Sequence, residues 1–210
     1  MDRRDFLRRL PRRGDLIPES IPPRPGTPSP DLAATLLEAL AGSGCGVHRV
    51  AGAVEALDLA WALARGSEIT CLGHHDLGPE LMPLLARTAA QAGIELVEAG
   101  DGGPETIARA EPLAAGLTRP ELAVAQVGAL LHLARPGGGR MLSLLPPLHL
   151  ALIHVADILW SLDDLDARLR AAGPWPGLTL ISGTSKTGDI EAVMVRGVHG
   201  PGRVEVIAWG

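Results

Sequence analysis

Between residues 47 and 97 the apolar pattern alternates between a short strand period and a helical one, and this constrains the fold most. Val47 to Val50 reads as a short strand. The spacing then predicts a helix over 53–65, with Val54, Leu57, Trp61 and Ala64 on one face and Gly66 after it. Glu68 to Leu72 reads as a buried strand, 80–92 as a helix using Leu81, Leu84, Leu85 and Thr88 and closed by Gly93, and Ile94 to Val97 as a third strand. Pro104 suits the first turn of another short helix, where its missing N–H costs nothing. Strand followed by helix, several times over, builds βαβ units, so an α/β fold with a parallel sheet is expected. Ahead of this run, Asp31 is a plausible N-cap for a helix through Ala41 carrying Leu32, Leu36, Leu37 and Leu40, with Gly42 ending it.

The rhythm breaks after residue 120. Leu122 to Gln126 and Ala129 to Ala134 are short apolar runs, which predict a hairpin or bulged excursion set against the main sheet, and Pro136 to Gly139 reads as a turn. Leu148 to Val155 is a further buried strand. Ser161 with Asp164 three residues on is a capping-box-like helix start, and Gly173 closes that helix. Leu178 to Ile181 and Val204 to Ala208 are the last strands.

Residues 11–30 hold seven prolines, Pro11, Pro18, Pro22, Pro23, Pro25, Pro28 and Pro30. Proline fixes φ and removes a donor, so residues 1–30 read as an arm and residues 31–210 as one compact domain. The arm carries Arg3, Arg4, Arg8, Arg9, Arg12 and Arg13, a docking or solvated face, with a partner or RNA contact as the other reading. No apolar leader core follows it and no apolar run reaches the roughly 18 residues of a membrane span, so a cytoplasmic protein is expected. A net charge of −5 argues against a nucleic-acid binder. The 2 cysteines, Cys45 and Cys71, form no C-x-x-C pair and cannot supply the four thiolates an iron–sulfur cluster generally needs. No cofactor or metal is expected here, and any redox centre belongs to a partner.

The strongest local motif runs from Ile181 to Glu191. Gly183, Thr184, Ser185, Lys186 and Thr187 bring small hydroxyl residues and the chain's one lysine to the end of a buried strand, followed by Asp189 and Glu191. Backbone N–H groups and hydroxyls there can converge on an anion; an ordinary β–α turn with Asp189 as N-cap is the other reading, and the residues alone leave both open. The apolar residues at 190, 193 and 194 favour a helix, on which Asp189 and Glu191 point apart. His199 and Gly200 lie in a glycine-rich turn where an imidazole could face a ligand. His74-His75-Asp76 sits on the loop side where α/β sheets hold ligands, with no matching metal-ligand cluster elsewhere. Ser143 to His149 shapes the chain through Pro146 and Pro147. Gly42-x-Gly44-x-Gly46 precedes a strand rather than following one, so it is not a dinucleotide loop.

The segments S-L-L-P-P-L-H (143–149), I-S-G-T-S-K-T-G-D-I-E (181–191) and G-V-H-G-P (197–201) together resemble the LUD, or lactate utilisation, domain family and its lactate utilisation protein C subgroup. The resemblance is sharpest from about residue 117 onward and architectural before that. It implies a Rossmann-like three-layer domain with a largely parallel central sheet, similar to the NagB/RpiA/CoA-transferase group. It also implies an accessory subunit that works with iron–sulfur lactate-oxidation proteins and binds a small anionic ligand or partner, with no nucleic acid or membrane. Alternatives are a stand-alone enzyme for a phosphorylated sugar or acyl-CoA, and a non-catalytic scaffold. Where the family carries A-E-T/S-G, this chain has Ala125-Gln126-Val127-Gly128, which replaces a charge and a hydroxyl at a position expected to line the ligand, here Gln126.

Overall fold

The computed structural model describes residues 30–100, 104–134, 138–172, 176–188, 194–197 and 199–210. The arm expected over 1–30, all but its last residue, lies outside the described residues, as do Gly173, Asp189 and Glu191.

Helix α1 (Leu32–Gly42) begins where its cap residue places it. The Asp31 carboxylate accepts the Ala34 N–H at 3.0 Å, satisfying a first-turn donor with no partner inside the helix. Then come β1 (Gly46–Val50), α2 (Ala53–Arg65), β2 (Cys71–His74), α3 (Met82–Ala92), β3 (Glu95–Glu98), α4 (Pro104–Ala110) and β4 (Ala115–Thr118). These strands join β7 (Leu148–His154) and β12 (Arg203–Trp209) in a sheet of order β1-β12-β7-β4-β2-β3, with every neighbouring pair parallel. A parallel sheet needs both faces covered. On one face Leu57 and Trp61 of α2 and Leu85 of α3 pack against Leu117, Leu150 and Ile207. On the other, Leu36 and Leu40 of α1 pack with Ala123, Leu130, Ile153 and Val206. Burying each of these leucines is worth about 1.5–3 kcal/mol, so the two faces together hold the sheet in a three-layer α/β domain.

The second cover is a smaller sheet, β8 (Ile158–Leu159), β5 (Leu122–Val124), β6 (Ala129–Leu133) and β9 (Leu178–Ile181), in that order. The hairpin expected over 122–134 forms, but as the centre of this separate sheet: β5 and β6 pair antiparallel, and β8 and β9 take their outer edges. α5 (Leu162–Ala172) starts with the expected box, since Asp164 accepts the Ser161 N–H at 2.9 Å and Ser161 Oγ accepts the Asp164 N–H at 3.2 Å.

Several local expectations are corrected. Val54 is exposed, and the buried face of α2 is Ala56, Leu57, Ala60, Trp61 and Ala64. β2 begins at Cys71 rather than Glu68, because Glu68 and Ile69 N–H groups still bond back to Arg65 and Ala64 carbonyls, with Glu68 at φ 57°. The strand over 178–181 is not buried. As an edge strand it turns Leu178 and Leu180 to solvent. The helix expected after residue 189 is replaced, where the chain is described, by β11 (Met194–Arg196), antiparallel to β10 (Lys186–Gly188). The Ser185 carbonyl accepts the Gly197 N–H at 3.0 Å and extends that ladder, so pairing across the hairpin overrides the helical spacing.

Candidate functional site

The loop leaving β9 is built by close approach. Gly183 has φ 119°, and a Cβ there would stand 2.9 Å from both the Cβ and the carbonyl oxygen of Ser43, so glycine alone lets the loop dock on the end of α1. Ser182 Oγ donates to the Val127 carbonyl at 3.2 Å, tying the loop to the 3-10 turn Ala125–Val127 that carries Gln126. The Ser185 N–H donates to the Pro201 carbonyl at 3.0 Å, and Ser185 Oγ accepts the His199 N–H at 3.3 Å. A Cβ at Gly200 would stand 3.4 Å from that of Ser185.

Of the residues expected to form the site, Gly183, Ser185, His199, Gly200 and the turn bearing Gln126 are thus brought together. Thr184 lies among them, buried, and its Oγ1 has no hydrogen-bond partner among the described residues. The backbone of Lys186 and Thr187 continues into β10. His199 is exposed and Gln126 half-buried, with the Gln126 N–H held by the Trp160 carbonyl. This cluster sits at the N-terminal edge of the central sheet: Ser43 precedes β1, and Arg203, which opens β12, donates its N–H to the Pro147 carbonyl ahead of β7.

The opposite edge holds a cleft of about 250 Å³ lined by Asp76, Leu77, Gly78, Arg119, Glu121 and Asp157, among others. It opens beyond the C-terminal ends of β2 and β4, where the chain, having gone outward from β2 to β3, returns to the other side of β2. Open α/β sheets hold their ligands at such a reversal. Arg119 is fixed there. Its Nη1 donates to the Leu77 carbonyl at 3.2 Å, Nη2 lies 3.3 Å from Asp157, and the guanidinium carbon sits 5.4 Å from the centre of the Trp209 ring. Asp76 accepts the Gly78 N–H at 2.9 Å.

Behind the cleft lies a buried polar cluster. His75, Thr118, His132 and His149 are all at most 1% exposed. The Thr118 hydroxyl is 2.8 Å from His149 Nε2 and 3.2 Å from His132 Nε2. One hydroxyl has one proton, so it donates to one imidazole and accepts from the other. His132 Nδ1 lies 3.4 Å from the Glu121 carboxylate, a contact without hydrogen-bond geometry. Burial, with the nearby His132 and His75 adding to it, pushes His149 down to about 3, so it stays neutral. His75 Nε2 accepts the Arg119 N–H at 2.9 Å, so a neutral His75 carries its proton on Nδ1. Gly139 presses on the cluster: a Cβ there would stand 2.7 Å from His75 Cδ2. Among the described residues no group of three or more His, Cys, Asp or Glu is arranged to hold a metal ion.

Residues 33–208 match the family model of the LUD domain. The chain belongs to the LUD domain family. Among its relatives, lactate utilization protein C of Deinococcus radiodurans is 35% identical over 115 residues, which are 52% of this chain and 53% of that protein. The uncharacterized protein YkgG of Escherichia coli K12 is 35% identical over 104 residues, 47% of this chain and 45% of that one. This LUD-domain chain therefore spans about half the length of the curated relatives it matches. The crystal structure of a DUF162 family protein from Deinococcus radiodurans has the same fold, with a TM-score of 0.59 at 22% identity over 85% of this chain and 96% of that one.

The cleft is lined by Asp76, Glu121 and Asp157 together with Arg119, and its volume is below the roughly 300 Å³ at which drug-sized pockets begin. The loop at the other edge gathers the hydroxyls of Ser182, Thr184 and Ser185. Sequence reasoning did not find Thr118, Arg119, Glu121, His132 or His149. The signal for Arg119 and Glu121 was present, as charged residues directly after a buried parallel strand. The three buried histidines lie far apart in the chain and only the fold joins them.

Proposed function

We propose that this protein is an accessory component of lactate utilisation that binds a small carboxylate anion through the Gly183 to Lys186 loop. In this reading it works beside iron–sulfur proteins that carry the electrons, because it has only two thiols, buried Cys45 just ahead of β1 and half-buried Cys71 at the start of β2, against the four a cluster generally needs. The names of its lactate-utilisation relatives support the process. The observation that supports the site is the Thr184 hydroxyl, buried with no hydrogen-bond partner among the described residues. A buried unpartnered hydroxyl costs about 1–3 kcal/mol, a cost that an incoming carboxylate oxygen would remove. Lys186 supplies the opposite charge. Thr187, Asp189, Glu191, His199 and Gln126 complete the proposed lining.

Thermal unfolding with L-lactate and with pyruvate tests this. A site ligand at a hundred times its dissociation constant adds about 2.7 kcal/mol to stability, and the near-isosteric Thr184→Val should abolish that gain while leaving the unliganded protein as stable or slightly more so. A full ligand-induced shift in Thr184→Val, or in Lys186→Ala, would contradict the site. The partner reading is tested by co-elution with purified iron–sulfur lactate-oxidation proteins, and separate elution at micromolar concentrations would contradict it.

A further inference from the structure

We propose that β9 is a docking edge for a second copy of this chain, and that two copies join their small sheets by pairing β9 antiparallel with itself about a two-fold axis at Thr179. The backbone supplies the first argument. The Ala134 N–H donates to the Gly177 carbonyl at 2.8 Å, which makes Gly177 and Ala134 a hydrogen-bonded pair at the end of the ladder between β6 and β9. Such pairs alternate in an antiparallel ladder, so Thr179 and Ile181 also bond toward β6. The N–H and C=O groups of Leu178 and Leu180 then point away from it, and among the described residues no strand takes that edge. The side chains agree with the backbone. Leu178 and Leu180 stand opposite Leu133 and Leu131, which lie buried with Leu165 of α5. Opposite residues share a face, so the apolar face under α5 runs out onto β9, where its last two leucines are 45% and 44% exposed.

Proteins ordinarily guard a sheet edge with charge, with proline or by keeping it very short. β1 carries Arg49, β3 carries Glu95 and Glu98, and β8 is 2 residues long. β9 reads Leu-Thr-Leu-Ile and has none of these guards. Its pattern is also complementary to itself. With Thr179 on the axis, Leu178 of one copy stands opposite Leu180 of the other, and every outward N–H and C=O of those two leucines finds a partner. The leucines of both copies then meet on one face. Thr179 meets its own counterpart in a non-hydrogen-bonded pair, with Cα atoms about 4.5 Å apart, and threonine pairs of this kind are favourable. An identical strand brings no charge to an edge that offers none to pair with, which a charged partner segment would do. Only 4 residues make the edge, so the interface falls below the roughly 1,200 Å² of stable complexes and the pairing is weak and concentration-dependent.

Sedimentation velocity of the full chain, from micromolar to near-millimolar concentration, should show a monomer passing into a dimer. Leu180→Lys puts an ammonium on each side of the axis, at diagonal positions that long side chains span, and should weaken the dimer about tenfold. The position is exposed, so the thermal midpoint of the monomer should not move. Leu178→Pro removes an outward N–H that makes no bond to β6, and should weaken the dimer to a similar degree. Thr179→Cys should cross-link two copies on mild oxidation, because a Cα separation of about 4.5 Å lies within the span of a disulfide. Ser182→Cys, away from the axis, should not. A monomer at every concentration, or a dimer that Leu180→Lys and Leu178→Pro both leave intact, would overturn the proposal. So would an edge whose Leu178 and Leu180 amides gain protection from hydrogen exchange only when a different protein is added.

Discussion

Acidification should destabilise this domain through His149. Its imidazole is fully buried, and burial with the neighbouring His132 and His75 holds its pKa near 3, against about 6.5 for a histidine in an unfolded chain. Between those values the unfolded chain binds a proton that the folded one refuses. Stability is therefore complete above about pH 6.5 and is lost as pH falls, by about 1.4 kcal/mol per unit, levelling off only near pH 3. From about pH 7.5 to about pH 5 the loss from this one group is about 2 kcal/mol. The groups facing it are His132 from β6, Thr118 from β4 and His75 beyond β2. His149→Gln keeps a donor for the Thr118 hydroxyl and has no proton to gain. Urea denaturation of both proteins across that range should show wild type losing about 2 kcal/mol more than the variant. Parallel curves, or a steeper loss in the variant, would refute the assignment of the acid sensitivity to this burial.

Gly116→Ala should cost about 2–3 kcal/mol, since a Cβ there runs into the Leu142 carbonyl, and backbone yields less than a side chain; a lowered thermal midpoint checks it. Gly42→Ala, at the last residue of α1 with nothing within 4 Å of an added Cβ, should be neutral or stabilise by up to about 1 kcal/mol. Asp31→Ala should cost about 1 kcal/mol by removing the cap on the Ala34 N–H, while Asp31→Asn should retain most of it, by urea midpoint. Leu36→Ala, at a fully buried position between α1 and the sheet, should cost about 2–5 kcal/mol in the same assay.

The first half of the domain was legible because its signals are local. Asp31 caps α1, Gly93 at φ 70° ends α3, and each apolar period matches one element. The second half is held by pairings between residues distant in sequence, and there local reading failed in specific ways. β5 and β6 read correctly as a hairpin, but nothing near them shows that β8 and β9 complete a second sheet. β11 carries a spacing compatible with a helix and becomes a strand because β10 is there to pair with it. The loop residues Gly183 to Ser185 were legible as a polar cluster from composition, and the contacts that join them to Ser43, Val127 and Pro201 were not. The buried histidines were opaque for the same reason: His132 and His149 each look like a single polar residue in an apolar strand until Thr118 is placed between them.

Backbone amide chemical shifts followed during titration with L-lactate bear most directly on where the anion goes. Saturable shifts at Thr184, Ser185 and Gly200, with the Arg119 and Gly78 amides unmoved, are the expected result. Shifts confined to Arg119 and Gly78, or none anywhere at millimolar lactate, would show that the loop at residue 183 is a turn and not a binding site.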